Sequence, residues 1–295
     1  MRLESPVTRF LTQLRADGRS PHTIRQYARH LRLFGEWWGG TCGAGEADEI
    51  AHIDHEALAS FLASDAALLR PDGKGKKAAS MNALRTSVRC FFDYLQRSGQ
   101  LASNPARVVR MARVPEAIPK PLKPTEVTRL TEVLASAEGT AAARDRSLFG
   151  FLLATGARLG SALALDVADV DLDAQEAHLG ELKGGGSLTV YLPGDAVGQL
   201  ESAIDGRRAG PVFCAQGGGR LSARHVQRRF EHWLEAAGIP PRYSPHSLRH
   251  TFASRLYERT GDILVVKEAL GHKSISSTMV YARATQDRVR AAVAG

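Results

Sequence analysis

A tyrosine placed nine residues after a histidine, Leu270-Gly271-His272 followed by Tyr281, closes a set of polar residues suited to one kind of chemistry. Upstream lie His246-Ser247-Leu248-Arg249-His250, the segment Thr155-Gly156-Ala157-Arg158, and Lys183 at the head of a glycine run. A phenol, two arginines, a lysine and histidines make a poor metal set, and no serine or cysteine nucleophile is prominent beside them. Together they fit cleavage of a phosphodiester by a tyrosine, with the phosphate held by charge. A phenol with the usual pKa of about 10 attacks poorly at neutral pH. It needs a group to take its proton and cations to stabilise charge building on the phosphate. No metal and no cofactor are expected.

Helices must position most of these groups. Ser244-Pro245 is a start signal, so His246 and Arg249 share a face near the positive end of a helix whose buried stripe is Leu248, Phe252 and Leu256. A second helix, from about Ala141 to Ala154, is apolar enough to be buried and runs straight into the turn carrying Arg158. Thr125 reads as the cap of a helix bearing Val127, Leu130 and Leu134. Strand character is confined to about Val167 to Leu192. There Leu188 to Leu192 pairs with Ala177 to Leu182 across Lys183-Gly184-Gly185-Gly186-Ser187, which puts Lys183 at a hairpin tip. Ser222 to Gly238 forms an amphipathic helix that buries Val226, Phe230, Trp233 and Leu234 and exposes Arg224, Arg228 and Arg229.

The front of the chain reads as four helices with no strand pattern. Ser5-Pro6 and Ser20-Pro21 open the first two, Gly39-Gly40 stops the second, Asp54 caps the third, and the fourth spans about Ala78 to Ser98. The proline-rich stretch from Val114 to Pro124 cannot sit in a helix interior and reads as a linker. The expected organisation is therefore 1–113 as a helical domain, 114–124 as a linker and 125–295 as the domain with the chemistry. A net charge of +8 favours a polyanionic partner. Residues 1–120 hold 18 basic against 12 acidic side chains, so the excess lies in the front domain. Arg25, Arg29, Arg85 and Arg89, with Lys74, Lys76 and Lys77 in the loop before the fourth helix, look like a face that tracks phosphates. Arg224, Arg228 and Arg229 are the counterpart in the second domain, suited to a major groove and its phosphates. Three distant cysteines, no apolar run of membrane-spanning length and no apolar leader point to a reducing, cytoplasmic setting without a membrane partner.

The motifs resemble those of the tyrosine recombinase (phage integrase) family, especially its short Xer-like members, along nearly the whole chain. Ala154-Thr155-Gly156-Ala157-Arg158-Leu159 looks like the family's first motif, Ser244 to Ala253 its second, and Val265 to Tyr281 its third. Ser20-Pro21-His22-Thr23-Ile24-Arg25-Gln26-Tyr27 is similar to its core-binding domain. The resemblance implies a mainly α fold: an N-terminal SAM-like helical core-binding domain, then an α-helical catalytic domain with a small antiparallel β-sheet. It implies that Tyr281 attacks the scissile phosphate, giving a 3′-phosphotyrosyl enzyme and a free 5′-hydroxyl. Arg158 and Arg249 would clamp the non-bridging oxygens, and Lys183 would protonate the leaving oxygen. His246 would exchange the tyrosine proton, and His272 would bond the phosphate. Double-stranded DNA, self-association to a tetramer on it, and a second related recombinase are the implied partners.

His250 reads as support for the fold or the tyrosine loop. One residue departs from the family pattern: Ser161 stands three after Arg158, where the family usually has Glu or Asp. Ser161→Glu is expected to leave cleavage similar or modestly higher, and a large loss in a cleavage assay would show that this pocket is built differently. Two rivals stay open at this point. One is a tyrosine topoisomerase or telomere resolvase using the same pocket; the other is a non-catalytic DNA-binding accessory protein of the same fold.

Overall fold

The computed structural model describes residues 3–41, 50–115, 119–180 and 186–283. Two compact units divide the chain, Met1–Glu116 and Ala117–Gly295.

The first unit holds α1 (Glu4–Ala16), α2 (Pro21–Thr41), α3 (His55–Ala63), α4 (Asp65–Leu68) and α5 (Ala78–Arg97). The two long helices each bury one stripe: Leu31, Phe34 and Trp38 on α2, and Met81, Leu84, Val88, Phe91, Phe92 and Leu95 on α5. Phe34 meets the edge of Phe61 at 5.0 Å and of Phe92 at 6.0 Å, so α2, α3 and α5 share one aromatic core. Ser20 Oγ accepts the Thr23 N–H and Asp54 Oδ1 the Ala57 N–H, capping α2 and α3 as their sequences indicate. Two boundaries differ from expectation. α1 starts at Glu4, which places Ser5-Pro6 inside its first turn. α2 runs through Gly39-Gly40 to Thr41, the modest helix cost of glycine being outweighed by packing of the buried Trp38. Past α5, the Asn82 side chain donates to Ala112 O and accepts from Ala112 N, both at 2.8 Å.

The short α4 corrects the reading of Lys76. Its ammonium donates to Ala66 O at 3.0 Å and Ala67 O at 2.7 Å, closing the carbonyl end of α4 instead of facing a phosphate. Burial, followed by the nearby Arg29, lowers its pKa from the usual lysine value.

The second unit holds α6 (Pro124–Ser136), α7 (Thr140–Thr155), α8 (Leu159–Ala164), the strands β1 (Val170–Asp171), β2 (Glu176–Leu179) and β3 (Leu188–Tyr191), then α9 (Gly194–Ile204), α10 (Ala223–Ala236), α11 (Pro245–Thr260), α12 (Ile263–Leu270) and α13 (Met279–Arg283). α7 is apolar nearly all round because α6, α9 and α11 pack against it. Phe149 meets Phe230 of α10 at 5.2 Å, and Phe151 meets Phe213 at 5.7 Å. The strands form an antiparallel sheet in the order β1-β2-β3, with Ala177 opposite Val190 and Leu179 opposite Leu188. Ala177, Leu179 and Val190 face the core, while His178 and Thr189 pair across the other face at 3.0 Å. β1 adds a strand that the hairpin reading lacked.

α6 begins one residue before the expected Thr125 cap. Pro124 takes the first helical position, and the Glu126 carboxylate reaches back to the Lys123 N–H at 2.8 Å. Leu122, expected in the linker, is 3 % exposed in the core, and its N–H donates to Thr251 Oγ1 of α11 at 2.9 Å. Among the described residues, no helix is long and apolar enough to cross a membrane.

Candidate active site

The segment carrying Arg158 depends on a glycine. α7 ends at Thr155, and Gly156 turns the chain with φ 63° and ψ 17°, a left-handed conformation that costs other residues energy. The Phe252 ring of α11 occupies the space where a Cβ on Gly156 would lie. Thr155 Oγ1 steadies the turn by donating to Phe151 O at 2.7 Å and accepting from Ala157 N at 3.2 Å. Arg158 then stands at the start of α8; its carbonyl accepts the Ala162 N–H at 3.0 Å, while its guanidinium has no ion pair or hydrogen bond among the described residues.

Arg249, on the first turns of α11, joins the three motif segments. Only 2 % exposed, it donates from Nη1 to Gly156 O at 2.7 Å and from Nη2 to Leu270 O at 2.8 Å. The first bond holds the turn that leads to Arg158. The second holds the end of α12, where Gly271 takes the left-handed conformation (φ 59°) and delivers His272. Two of five guanidinium N–H groups are thus used on backbone, leaving the rest for an anion. Burial, then the charge of Arg158, lowers the Arg249 pKa to about 10, so it stays cationic at neutral pH. No acidic side chain pairs with Arg158 or Arg249 among the described residues. The same two charges reach His246 and His272. The pocket is built to receive negative charge.

His246 lies at the mouth of α11, with its pKa lowered by partial burial and then by Arg249 and Arg158. His272 shares a proton with Thr278, Nδ1 to Oγ1 at 2.9 Å, and its pKa falls to about 4 through burial and the surrounding cations. Thr278 is fully buried, and its carbonyl accepts the Tyr281 N–H at 3.0 Å, so His272 and the tyrosine turn are braced together. Tyr281, 3 % exposed, packs on Ala253, Leu256, Val266 and Leu270. Burial raises its pKa, and Arg249 works in the opposite direction.

The tyrosine hydroxyl meets a histidine outside the expected catalytic set. It sits 2.9 Å from Nδ1 of His250, one helical turn past the His246 that was expected to exchange its proton. His246 instead packs edge-on against His250, their ring centres 4.7 Å apart at 84°. The signal for His250 was present as a second histidine four residues along α11, on the same face as His246.

The remaining expected residues fall into three groups. Lys183 lies outside the described residues. Arg25, Arg29, Arg89, Lys74, Lys77, Arg224 and Arg228 are exposed, while Arg85 is half-buried and donates to Asn82 Oδ1 at 3.1 Å. Arg229 is a correction: it is bound to the buried Asp145 of α7, Nε to Oδ2 at 2.6 Å, and its guanidinium lies over the Trp233 ring. Asp145, 2 % exposed, also accepts from Trp233 Nε1 at 2.9 Å and from Arg144. A carboxylate that deep requires a cation, and the helical pattern of α10 could not reveal it. Ser161 lies on α8, one turn after Arg158.

Residues 120–288 match the model of the phage integrase family, and residues 7–99 match that of the phage integrase N-terminal SAM-like domain. Tyrosine recombinase XerC of Salmonella typhi is 32% identical over 292 residues, spanning 95% of this chain and 91% of the relative. The XerH site-specific recombinase bound to difH substrate, in a pre-cleavage complex, is similar with a TM-score of 0.70 and 25% identity, over 92% of this chain and 78% of that one. A lambda integrase dimer bound to a COC′ core site shares the fold, with a TM-score of 0.71 at 20% identity over 94% of this chain and 97% of that one. Fold and relatives together define an enzyme that breaks DNA strands with a tyrosine. The chain belongs to the phage integrase family and is a tyrosine site-specific recombinase.

Proposed function

We propose that this chain cleaves duplex DNA at defined sites through Tyr281 and rejoins the strands in exchanged order through a Holliday junction. Arg158 and Arg249 take the non-bridging oxygens of the scissile phosphate, where planar forks stabilise the charge gained in the transition state. His246 and His272 bond the same phosphate. Tyr281 passes its proton to a histidine of α11 and displaces the 5′ oxygen, which Lys183 protonates, and a 5′-hydroxyl from a second strand later displaces the tyrosine. Each step trades one phosphodiester for another, so bond energy is conserved and neither metal nor ATP is required.

One observation carries this reading: a buried arginine ties three distant segments together beside a tyrosine, and no described acid neutralises it. XerH bound to difH and a lambda integrase tetramer bound to a Holliday junction support DNA as substrate and a tetramer as the working assembly. A second related recombinase supplying half of that tetramer, and a cytoplasmic setting, belong to the same proposal. The exposed Arg25, Arg29, Arg89, Lys74 and Lys77 of the helical domain, and Arg224 and Arg228 of the catalytic domain (113 and 125 being the expected limits of the two), contact phosphates.

The test is a nicked duplex carrying a selected site, which traps the covalent adduct. Tyr281→Phe should abolish the adduct while site binding stays within about twofold, since one hydroxyl contributes little to a grip made by many phosphate contacts. An adduct that persists in this variant would place the nucleophile elsewhere.

A further inference from the structure

We propose that His250 is the base that takes the Tyr281 proton during attack, leaving His246 to the phosphate; this rests on the recombinase reading and deepens it. The hydroxyl already lies 2.9 Å from His250 Nδ1, within the range for direct proton transfer. Its position is not accidental. The Tyr281 N–H bonds to Thr278 O, Thr278 bonds to His272, and the tyrosine ring is packed among Ala253, Leu256, Val266 and Leu270. On the other side the His250 ring is held edge-on by His246. The two histidines thus divide the work along one helix face, the outer at the pocket mouth and the inner at the nucleophile.

In the step itself, the Tyr281 oxygen forms its bond to phosphorus while its O–H bond breaks and the proton passes to Nδ1 of His250. The bond from phosphorus to the 5′ oxygen breaks, and that oxygen leaves with the electron pair and takes a proton from Lys183. On rejoining, the imidazolium of His250 returns the proton to the departing phenolate.

The groups facing His250 are His246 and Arg249 from α11, Tyr281 from α13, and His272 from the turn after α12, with Arg158 across the pocket. Burial first, then His246 and Arg249, holds the His250 pKa near about 4 in the chain alone. A phosphate between Arg158 and Arg249 offsets that positive charge and makes the ring more basic. The phenol meanwhile grows more acidic as its oxygen bonds to phosphorus, so transfer accompanies attack instead of preceding it.

The experiment is single-turnover cleavage of a nicked site between about pH 6 and 9, comparing the wild type with His250→Asn, whose side-chain oxygen can accept the hydrogen bond but not the proton. The wild-type rate should be flat over this range. His250→Asn should be slower by about 10²- to 10⁴-fold at pH 7, with a rate rising about tenfold per pH unit as hydroxide replaces the base. Added imidazole should restore cleavage to His250→Ala. The Asn defect should persist on a site with sulfur in place of the 5′ bridging oxygen, a leaving group that needs no proton. Cleavage by His250→Asn within about threefold of wild type, a slow but flat pH profile, or recovery on the sulfur substrate would each overturn the proposal. If the variants fail to fold, the wild-type profile decides, since a rate climbing tenfold per unit throughout leaves no base to assign. A wild type that forms no adduct on any selected site would instead sink the recombinase reading itself.

Discussion

Arg249→Lys should lose roughly 10³-fold or more of strand cleavage while leaving site binding much less affected. The arginine fork spans two backbone acceptors, Gly156 O at 2.7 Å and Leu270 O at 2.8 Å, and keeps further N–H groups for the proposed phosphate contact. A lysine has three N–H groups on a single nitrogen and cannot bridge two carbonyls and an anion together. The carbonyl left without a donor costs about 1–3 kcal/mol of stability, because it is buried away from water. Losing a preorganised donor at the phosphate costs about 10²–10³ in rate by itself.

Charge adds a second penalty. The pocket lowers even an arginine from 12.5 to about 10. A lysine, starting from about 10.4, would be partly neutral near physiological pH in the same place. The sign follows: cleavage by Arg249→Lys should rise as pH is lowered from about 9 toward 7, because only the protonated amine stabilises the phosphate. Single-turnover cleavage across that range, with a melting curve as control for folding, checks both effects. A lysine variant that cleaves within tenfold of wild type would mean the pocket does not depend on the bridging fork.

Gly156→Ala should destabilise the second unit by about 2–5 kcal/mol, of which the left-handed backbone accounts for about 1–2 and overlap with the Phe252 ring for about 1–3. Both causes act at one residue: φ is 63°, and the ring lies where the new methyl must go. Cleavage should fall further than stability alone predicts. The Gly156 carbonyl is an Arg249 acceptor, and the turn leads to Arg158, so any shift moves both arginines proposed to hold the phosphate. Urea unfolding measures the first effect. Adding Phe252→Leu to Gly156→Ala should recover the overlap part and leave the backbone part. Loss of less than about 0.5 kcal/mol in the single variant would show that the turn relaxes freely.

Much of this protein is legible along the chain, and the reason is local. Cap residues and the 3.6 period mark α2, α3, α5, α10 and α11, and an apolar run marks α7, because these signals act within a few residues of each other. The pairing of β2 with β3 follows in the same way from two strand-forming runs either side of a glycine-rich segment. The order of the three motifs, with Tyr281 nine residues after His272, was enough to identify the bond that is broken.

Periodicity says which face of a helix is buried, but not which distant group meets a buried acceptor. Arg229 lies on the polar side of α10, yet Asp145 claims it from 84 residues away. Lys76 is spent on the carbonyl end of a four-residue helix. Leu122, from a stretch that reads as linker, is a core residue bonded to α11. The same limit holds at the nucleophile. By itself the sequence pointed to Tyr281 as the nucleophile, and to Arg158 and Arg249 as the groups proposed to hold the phosphate it attacks. Only the tertiary structure decided that its hydroxyl meets His250, because the packing of α13 on α11, 31 residues away, sets which histidine the phenol can reach.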